Sequence, residues 1–265
     1  MVLFDAECPM CQAYTLAFIK TGMLDNHGRA AYQNELNSSC PLIDKQRAVN
    51  EIALVNLQNG EVTYGVKSLF KIIGNAFPVF GPLFSLKPFE WLMSKLYAFI
   101  SYNRRVIIPA QINNGSFGWQ PSFKIQYRLA YLLFTWFCSG CILTAYAHLL
   151  KGVVPLGGAY REYIICGGQI IYQGLIISAF KKEKLWEYLG NMMTISFAGS
   201  LLLSVMLGIS HWFTTTPTAA ATYFMAVAGL MFLEHIRRTK LLNLCWTLTI
   251  TWALYRAALL VLILI

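Results

Sequence analysis

The chain has 265 residues, 57% of them hydrophobic, and a formal net charge of +9. That length suits one large or two small domains, and the charges divide it. Up to Lys124 there are 11 Lys/Arg and 8 Asp/Glu, spread as on a soluble surface; from Gln126 onward 10 Lys/Arg and 4 Glu sit in clumps between apolar runs. Positive charge beside apolar runs suits lipid headgroups and topology signals. No basic stripe with interleaved aromatics is present, so the charge does not argue for nucleic acid.

Taken in chain order, Val2-Leu3-Phe4 reads as a short buried strand. It runs straight into Asp5-Ala6-Glu7, with no basic n-region and no long apolar h-region, so no signal peptide is expected. Cys8-Pro9-Met10-Cys11 then opens an apolar helix through Tyr14, Leu16, Ala17, Phe18 and Ile19 that ends near Gly22. Pro9 suits the first helical turn, where its missing N–H is no loss. Cys8 therefore falls at a helix N-terminus, whose free N–H groups and dipole favour thiolate. Cys11 follows one turn later on the same face, within disulfide reach. Such a pair does thiol–disulfide exchange, one thiol attacking and the other resolving the mixed disulfide. Asp5 and Glu7 beside Cys8 oppose the dipole, and the pattern leaves that balance open.

A Cys3His zinc site completed by Cys40 and His27 is the competing reading of the motif. The soluble half lacks the second C-x-x-C or His pair that such sites normally show. No cofactor is expected.

Downstream, Ala30-Ala31-Tyr32-Gln33 reads as a second strand and Glu51–Leu57 as a third. Asn59-Gly60 makes a hairpin turn into a fourth, Glu61–Tyr64, and Gly65 opens a helix through Val66, Leu69, Phe70 and Ile73. Strand–helix–strand and then hairpin–helix is the thioredoxin-like order. Residues 88 to 108 read as a strongly apolar helix ending at Arg104-Arg105. It serves either as the last packing helix of the domain or as a helix along a membrane surface. A polar, glycine-containing linker follows.

A helix needs about 20 apolar residues to cross the hydrocarbon. Residues 129–150 and 163–180 each lack Asp, Glu, Lys and Arg, as do the 46 residues between Glu187 and Glu234. The last run holds two spans broken at Thr214-Thr215-Thr216-Pro217-Thr218, and a fifth span covers Leu241 to Ile265. Lys181, Lys182, Lys184 and Arg237, Arg238, Lys240 lie in short loops on one side. The positive-inside rule makes that side cytoplasmic, which puts the N-terminal domain in the cytoplasm and the C-terminus outside, as in a multi-pass inner or plasma membrane protein. Glu234 and His235 are expected to snorkel at the cytoplasmic end of span four. Arg256 either snorkels to the outer interface or binds an anionic group or partner helix.

Three further intramembrane features call for a reading. Cys138-Ser139-Gly140-Cys141 suits close helix packing, with a redox pair as the rarer use. His148 and His211 at similar depth are either interface histidines or haem ligands. Glycine-rich faces with few buried charges argue against a transporter.

Phe4-Asp5-Ala6-Glu7-Cys8-Pro9-Met10-Cys11 resembles the D-x-x-C-x-x-C signature of the DCC family of thiol–disulfide oxidoreductases. The likeness continues through the hairpin strand, Gly65 before a helix, Pro88, Tyr97 and Asn103-Arg104, and covers about residues 2 to 108. It departs at Ala6, where the family usually has glycine, and at Glu7, where it usually has Asp. The stretch before the third strand reads Arg47-Ala48-Val49-Asn50, without the proline of thioredoxins proper.

The resemblance implies that Cys8 is the nucleophile, Cys11 the resolving thiol and Asp5 an acidic partner that accepts a proton or ties the loop. The expected architecture is an α+β thioredoxin-like domain at 1–108, a linker at 109–125 and an all-α transmembrane bundle of about five spans at 126–265. The expected function is membrane-anchored thiol–disulfide exchange at the Cys8-Pro9-Met10-Cys11 dithiol with an unidentified protein disulfide or dithiol. The alternative is a redox-idle accessory or assembly subunit of a larger membrane complex.

Overall fold

The structure, a computed structural model, describes residues 1–35, 43–109 and 120–264. The chain forms two compact units, Met1–Tyr127 and Arg128–Ile265.

In the first unit, strand β1 (Val2–Phe4) leads into helix α1 (Pro9–Lys20), then strand β2 (Arg29–Ala31) and a helical turn α2 (Tyr32–Glu35). Helix α3 (Lys45–Asn50) precedes strands β3 (Ala53–Val55) and β4 (Val62–Tyr64), helix α4 (Val66–Ala76), the short α5 (Gly81–Phe84) and the long α6 (Lys87–Ile107). The sheet order is β2-β1-β3-β4. β1 runs parallel to β2 and antiparallel to β3, and β3 pairs antiparallel with β4. This is the thioredoxin-like arrangement, with a right-handed crossover expected for the β1–α1–β2 unit. Buried Leu3, Val49, Ala53 and Val55 fill one core cluster, and Val2, Ile52 and Ile72 fill another.

Three strands are shorter than their sequence pattern, β4 by the single residue Glu61. β2 stops at Ala31 because Tyr32 turns into the core, 1% exposed, beside Leu3 and Val49. β3 stops at Val55 because Asn56 Oδ1 accepts the Gln58 N–H at 2.9 Å and starts the turn. Gly65 caps α4 with φ of +66° and ψ of −141°, a conformation essentially reserved for glycine. Residues 120–124 return to α3, where Ser122 N–H donates to Asn50 Oδ1 at 2.7 Å. The linker run at 110–119 lies outside the described residues, as do Cys40 and Pro41.

The second unit consists of α7 (Ile125–Ala147, whose first three residues belong to the first unit), α8 (Arg161–Phe180), α9 (Leu185–Ser210), α10 (Pro217–Leu241) and α11 (Thr247–Leu264). With short helical extensions, all five are long and apolar enough to cross a membrane. Thr216 caps α10, accepting the Ala219 N–H at 3.3 Å, with Pro217 at the first helical position. This breaks the apolar run between spans three and four where the sequence placed the turn.

The interior of this bundle is more polar than the apolar runs suggest. His235 does not snorkel: it is 1% exposed, with Tyr188 Oη 3.2 Å from Nε2 and Thr249 Oγ1 3.2 Å from Nδ1. Its ring also stacks on Trp252, centroids 5.1 Å apart. Tyr188 Oη donates onward to Gln173 Oε1 at 2.9 Å. Glu234 accepts from Arg237 and Arg238 at 2.7 Å, so its charge is compensated along the same helix and α10 continues to Leu241. Arg256 turns inward, donating from Nε to Gln169 Oε1 at 2.5 Å and lying over the Trp252 ring. A polar side chain without water finds its partner in a neighbouring helix.

Candidate dithiol site

The site grows from the β1–α1 junction. Cys8 is the N-cap of α1, with extended backbone (φ −100°, ψ 110°) and Pro9 next in line. The Asp5 carbonyl accepts the Cys8 N–H at 3.1 Å, closing a tight turn that aims the sulfur at the start of the helix. The thiol and backbone N–H of Cys11 both donate to the Cys8 sulfur. Tyr14 Oη donates in turn to Cys11. Both cysteines are free thiols in this structure.

These donors set the chemistry. The Cys8 thiol is lowered from 9.0 to about 6, first by the Cys11 hydrogen bond; burial opposes that, and the Arg104 charge assists it. Cys11 moves the other way, raised because its proton is held by Cys8 and because it is buried. A more acidic thiol beside a less acidic one is the division of labour that dithiol exchange requires. Burial also raises the Tyr14 hydroxyl, keeping it a donor.

Asp5 and Glu7 do not stand free to repel the thiolate. Arg104 Nη2 donates to Asp5 Oδ2 at 2.9 Å, and both residues are buried, 5% and 2% exposed. Arg105 Nη2 lies 3.5 Å from Glu7 Oε2 and 3.6 Å from Asp5 Oδ2. The acid–thiol conflict in the sequence is thus offset by two arginines from the far end of α6: Asp5 still raises the Cys8 thiol, and the Arg104 charge lowers it by more. Asp5 Oδ1 also accepts the Glu7 N–H at 3.0 Å and Gln33 Nε2 at 2.9 Å. Every oxygen of this carboxylate is engaged, which ties the loop.

Arg104 also holds the segment ahead of β3. Its guanidinium donates to the carbonyls of Val49 (2.9 Å) and Asn50 (3.2 Å) and to Ser101 Oγ (3.3 Å). Where thioredoxins place a proline, this chain has the end of α3 gripped by an arginine. Tyr97 Oη accepts the Ile52 N–H at 2.8 Å just beyond it. Tyr97, Ser101 and Arg104 recur at i, i+4 and i+7, which makes them the inward stripe of α6. That spacing was the available signal for Arg104, which the sequence otherwise showed as one of the two arginines ending the apolar helix and as part of a closing Asn103-Arg104 pair.

The structure thus brings Asp5, Cys8, Pro9 and Cys11 together and adds Arg104, Arg105, Gln33 and Tyr14. His27 is described, but Cys40, and with it the Cys3His set, lies outside the described residues; among the described residues no His, Cys, Asp and Glu group could hold a metal. In α7, the Cys141 sulfur lies 3.0 Å from Tyr163 Oη, and a Cβ on Gly140 would collide with the Tyr163 ring. The small residues there let α8 approach closely. His148 sits in a 3₁₀ turn after α7, and His211 caps α9.

Comparison with curated proteins and with solved structures gives no match for the chain. Residues 2–108 match the family model of DCC1-like thiol-disulfide oxidoreductases, whose membership supports oxidoreductase activity. Residues 2–108 therefore constitute a DCC1-like thiol-disulfide oxidoreductase domain of thioredoxin-like fold, followed by a region of five helices long and apolar enough to cross a membrane.

Proposed function

We propose that the chain is a membrane-anchored oxidoreductase that exchanges electrons through Cys8 and Cys11, with the domain on the cytoplasmic side. The observation that carries this is the placement of the pair: Cys8 caps the N-terminus of α1, Cys11 follows one turn later, and both are free thiols.

The Cys8 thiolate attacks one sulfur of a protein disulfide, forming a mixed disulfide and releasing the partner's first thiolate. Cys11 then gives up its proton and attacks the Cys8 sulfur. The Cys8–Cys11 disulfide forms, and the partner leaves with its second thiolate. Two electrons pass to the partner; the Cys11 proton protonates one of its two thiolates, and solvent, which took the Cys8 proton, supplies the other. Pro9 holds the helix start on which Cys8 rides, and Asp5 acts as a tie rather than a proton acceptor. The cytoplasmic side is supported by Lys181, Lys182 and Lys184 between α8 and α9 and by Arg237, Arg238 and Lys240 at the C-terminal end of α10, where the sequence pattern had a loop.

One observation favours the second reading, an accessory or assembly subunit whose dithiol is idle. Cys8 is 1% and Cys11 5% exposed, so a protein disulfide reaches them only after local opening. Titration in glutathione buffers separates the two. Full-length protein would be equilibrated, quenched in acid, denatured and labelled with a heavy maleimide, beside Cys8→Ser and Cys11→Ser. A reversible two-thiol transition lost in either variant supports exchange. Thiols that stay reduced across the range, with variants of unchanged abundance, support the idle subunit.

A further inference from the structure

The helix that supplies Arg104 inward carries a second, outward face that the dithiol site does not use. Trp91, Leu92, Leu96 and Ile100 are 65%, 56%, 48% and 40% exposed. Pro88, Leu92, Leu96 and Ile100 recur every four residues along α6, with Trp91 and Lys95 beside them, so they form one stripe. Leu86 and Val79, 55% and 79% exposed, extend the apolar surface ahead of the helix. Behind it, Phe70 stacks on Phe84 and Phe89 with centroids 4.4 and 5.7 Å away, so the outer side chains ride on a fixed aromatic base. A soluble domain does not leave a tryptophan and a leucine stripe in water without a partner for it.

We propose that this face of α6 lies in the headgroup region of the bilayer, with Trp91, Leu92, Leu96 and Ile100 inserted at its apolar boundary. The chain itself supplies the argument for lipid. Tyr102, at the end of the same helix, stacks on Tyr127, centroids 4.8 Å apart, and Asn103 Nδ2 donates to the Tyr127 carbonyl at 3.0 Å. Tyr127 stands in the first turn of a helix long and apolar enough to span. Ten residues separate Leu92 from Tyr102, about 15 Å at the helical rise. The stripe therefore ends where the chain begins its first apolar run.

The chemistry of the surroundings agrees. Lys124 lies over the Tyr102 ring, 4.6 Å from its centroid. A lysine among tyrosines and a tryptophan is the composition of a membrane interface. Lys87 and Lys95 flank the stripe and form no ion pair among the described residues, whereas Glu90, the one acid on the helix, is bound by Lys67 at 2.8 Å. The charge left to the outer face is positive, as an anionic lipid surface prefers.

The test uses full-length protein in nanodiscs of phosphatidylcholine and phosphatidylglycerol, with p-benzoylphenylalanine replacing Leu92 or Leu96 in separate samples. Leu57, 73% exposed in the β3–β4 turn, carries the probe in the control. After irradiation, intact-protein mass spectrometry reads a phospholipid adduct. The expected result is a lipid adduct at positions 92 and 96, several-fold above that at 57. Equal lipid labelling at 57, no lipid adduct at 92 and 96, or a cross-link there to a second polypeptide each overturns the proposal.

Discussion

Arg104 reaches Asp5 across 99 residues of sequence and closes an ion pair of 2.9 Å in which neither partner is more than 5% exposed. A buried pair of this kind contributes little over an apolar pair of the same shape, but loss of one partner strands the other charge. The pair therefore joins two parts of the chain whose separation carries a penalty, and the Arg104 charge acts on both thiols.

Arg104→Met and Asp5→Asn are each expected to destabilise the N-terminal domain by about 3–5 kcal/mol. The double variant should lose clearly less than the sum, because neither charge is then left alone. Pulse proteolysis of the full-length protein in detergent, followed through a cleavage site in residues 1–108, measures all three. Strictly additive losses would show that the two residues act independently.

The Cys8 thiol, lowered from 9.0 to about 6, predicts a pH profile. In the reduced protein the rate of Cys8 alkylation by iodoacetamide should rise through pH 6 and level off by neutrality. Cys11→Ala removes the largest stabilising hydrogen bond and should move the midpoint upward, toward the ordinary thiol range. A group whose folded value is depressed stabilises the fold most above its unfolded value. The thiolate's contribution is thus complete above pH 9 and is lost progressively as pH falls toward about 6. A wild-type midpoint near 9 would contradict the site as described.

Gly65→Ala is expected to cost about 1–3 kcal/mol, the usual range for a side chain forced into a glycine-only conformation. The added Cβ would also meet Glu51 Oε2 at 2.8 Å. Since Gly65 N–H donates to the Ile52 carbonyl at 2.9 Å, the strain falls on the β4–α4 corner and leaves the thiols in place. Alkylation of the reduced dithiol should be unchanged while the thermal midpoint of the domain falls.

In the helical half, Tyr188→Phe removes one hydroxyl that serves both Gln173 and His235. Interhelical hydrogen bonds of this kind are worth on average about 0.6 and at most about 1.7 kcal/mol in lipid. The expected loss lies in that range, read by unfolding in mixed detergent and SDS. A neutral effect would mean that His235 and Gln173 find other partners when the hydroxyl is gone.

What was legible in the sequence was local. The Cys8-Pro9-Met10-Cys11 helix start, the hairpin at Asn59-Gly60, Gly65 before a helix and five long apolar runs each follow from residues within a few positions of one another. Turn chemistry, capping and hydrophobic periodicity act over that range. Strand ends were less legible: Tyr32 left the sheet for the core and Asn56 turned early, because packing and side-chain hydrogen bonds outweighed strand propensity.

What only the tertiary structure decided was which distant groups meet. Asp5 and Glu7 read as a threat to a Cys8 thiolate until Arg104 and Arg105 came to stand beside them. His235 read as a side chain reaching for the interface, and Arg256 as that or as a site for an anionic group or partner helix, until Tyr188, Thr249 and Gln169 appeared as partners on neighbouring helices. A charge in a sequence has a fixed sign but no fixed neighbour. Its energy is set by burial and by the groups that folding brings within a few ångströms, and those come from segments tens to nearly a hundred residues away.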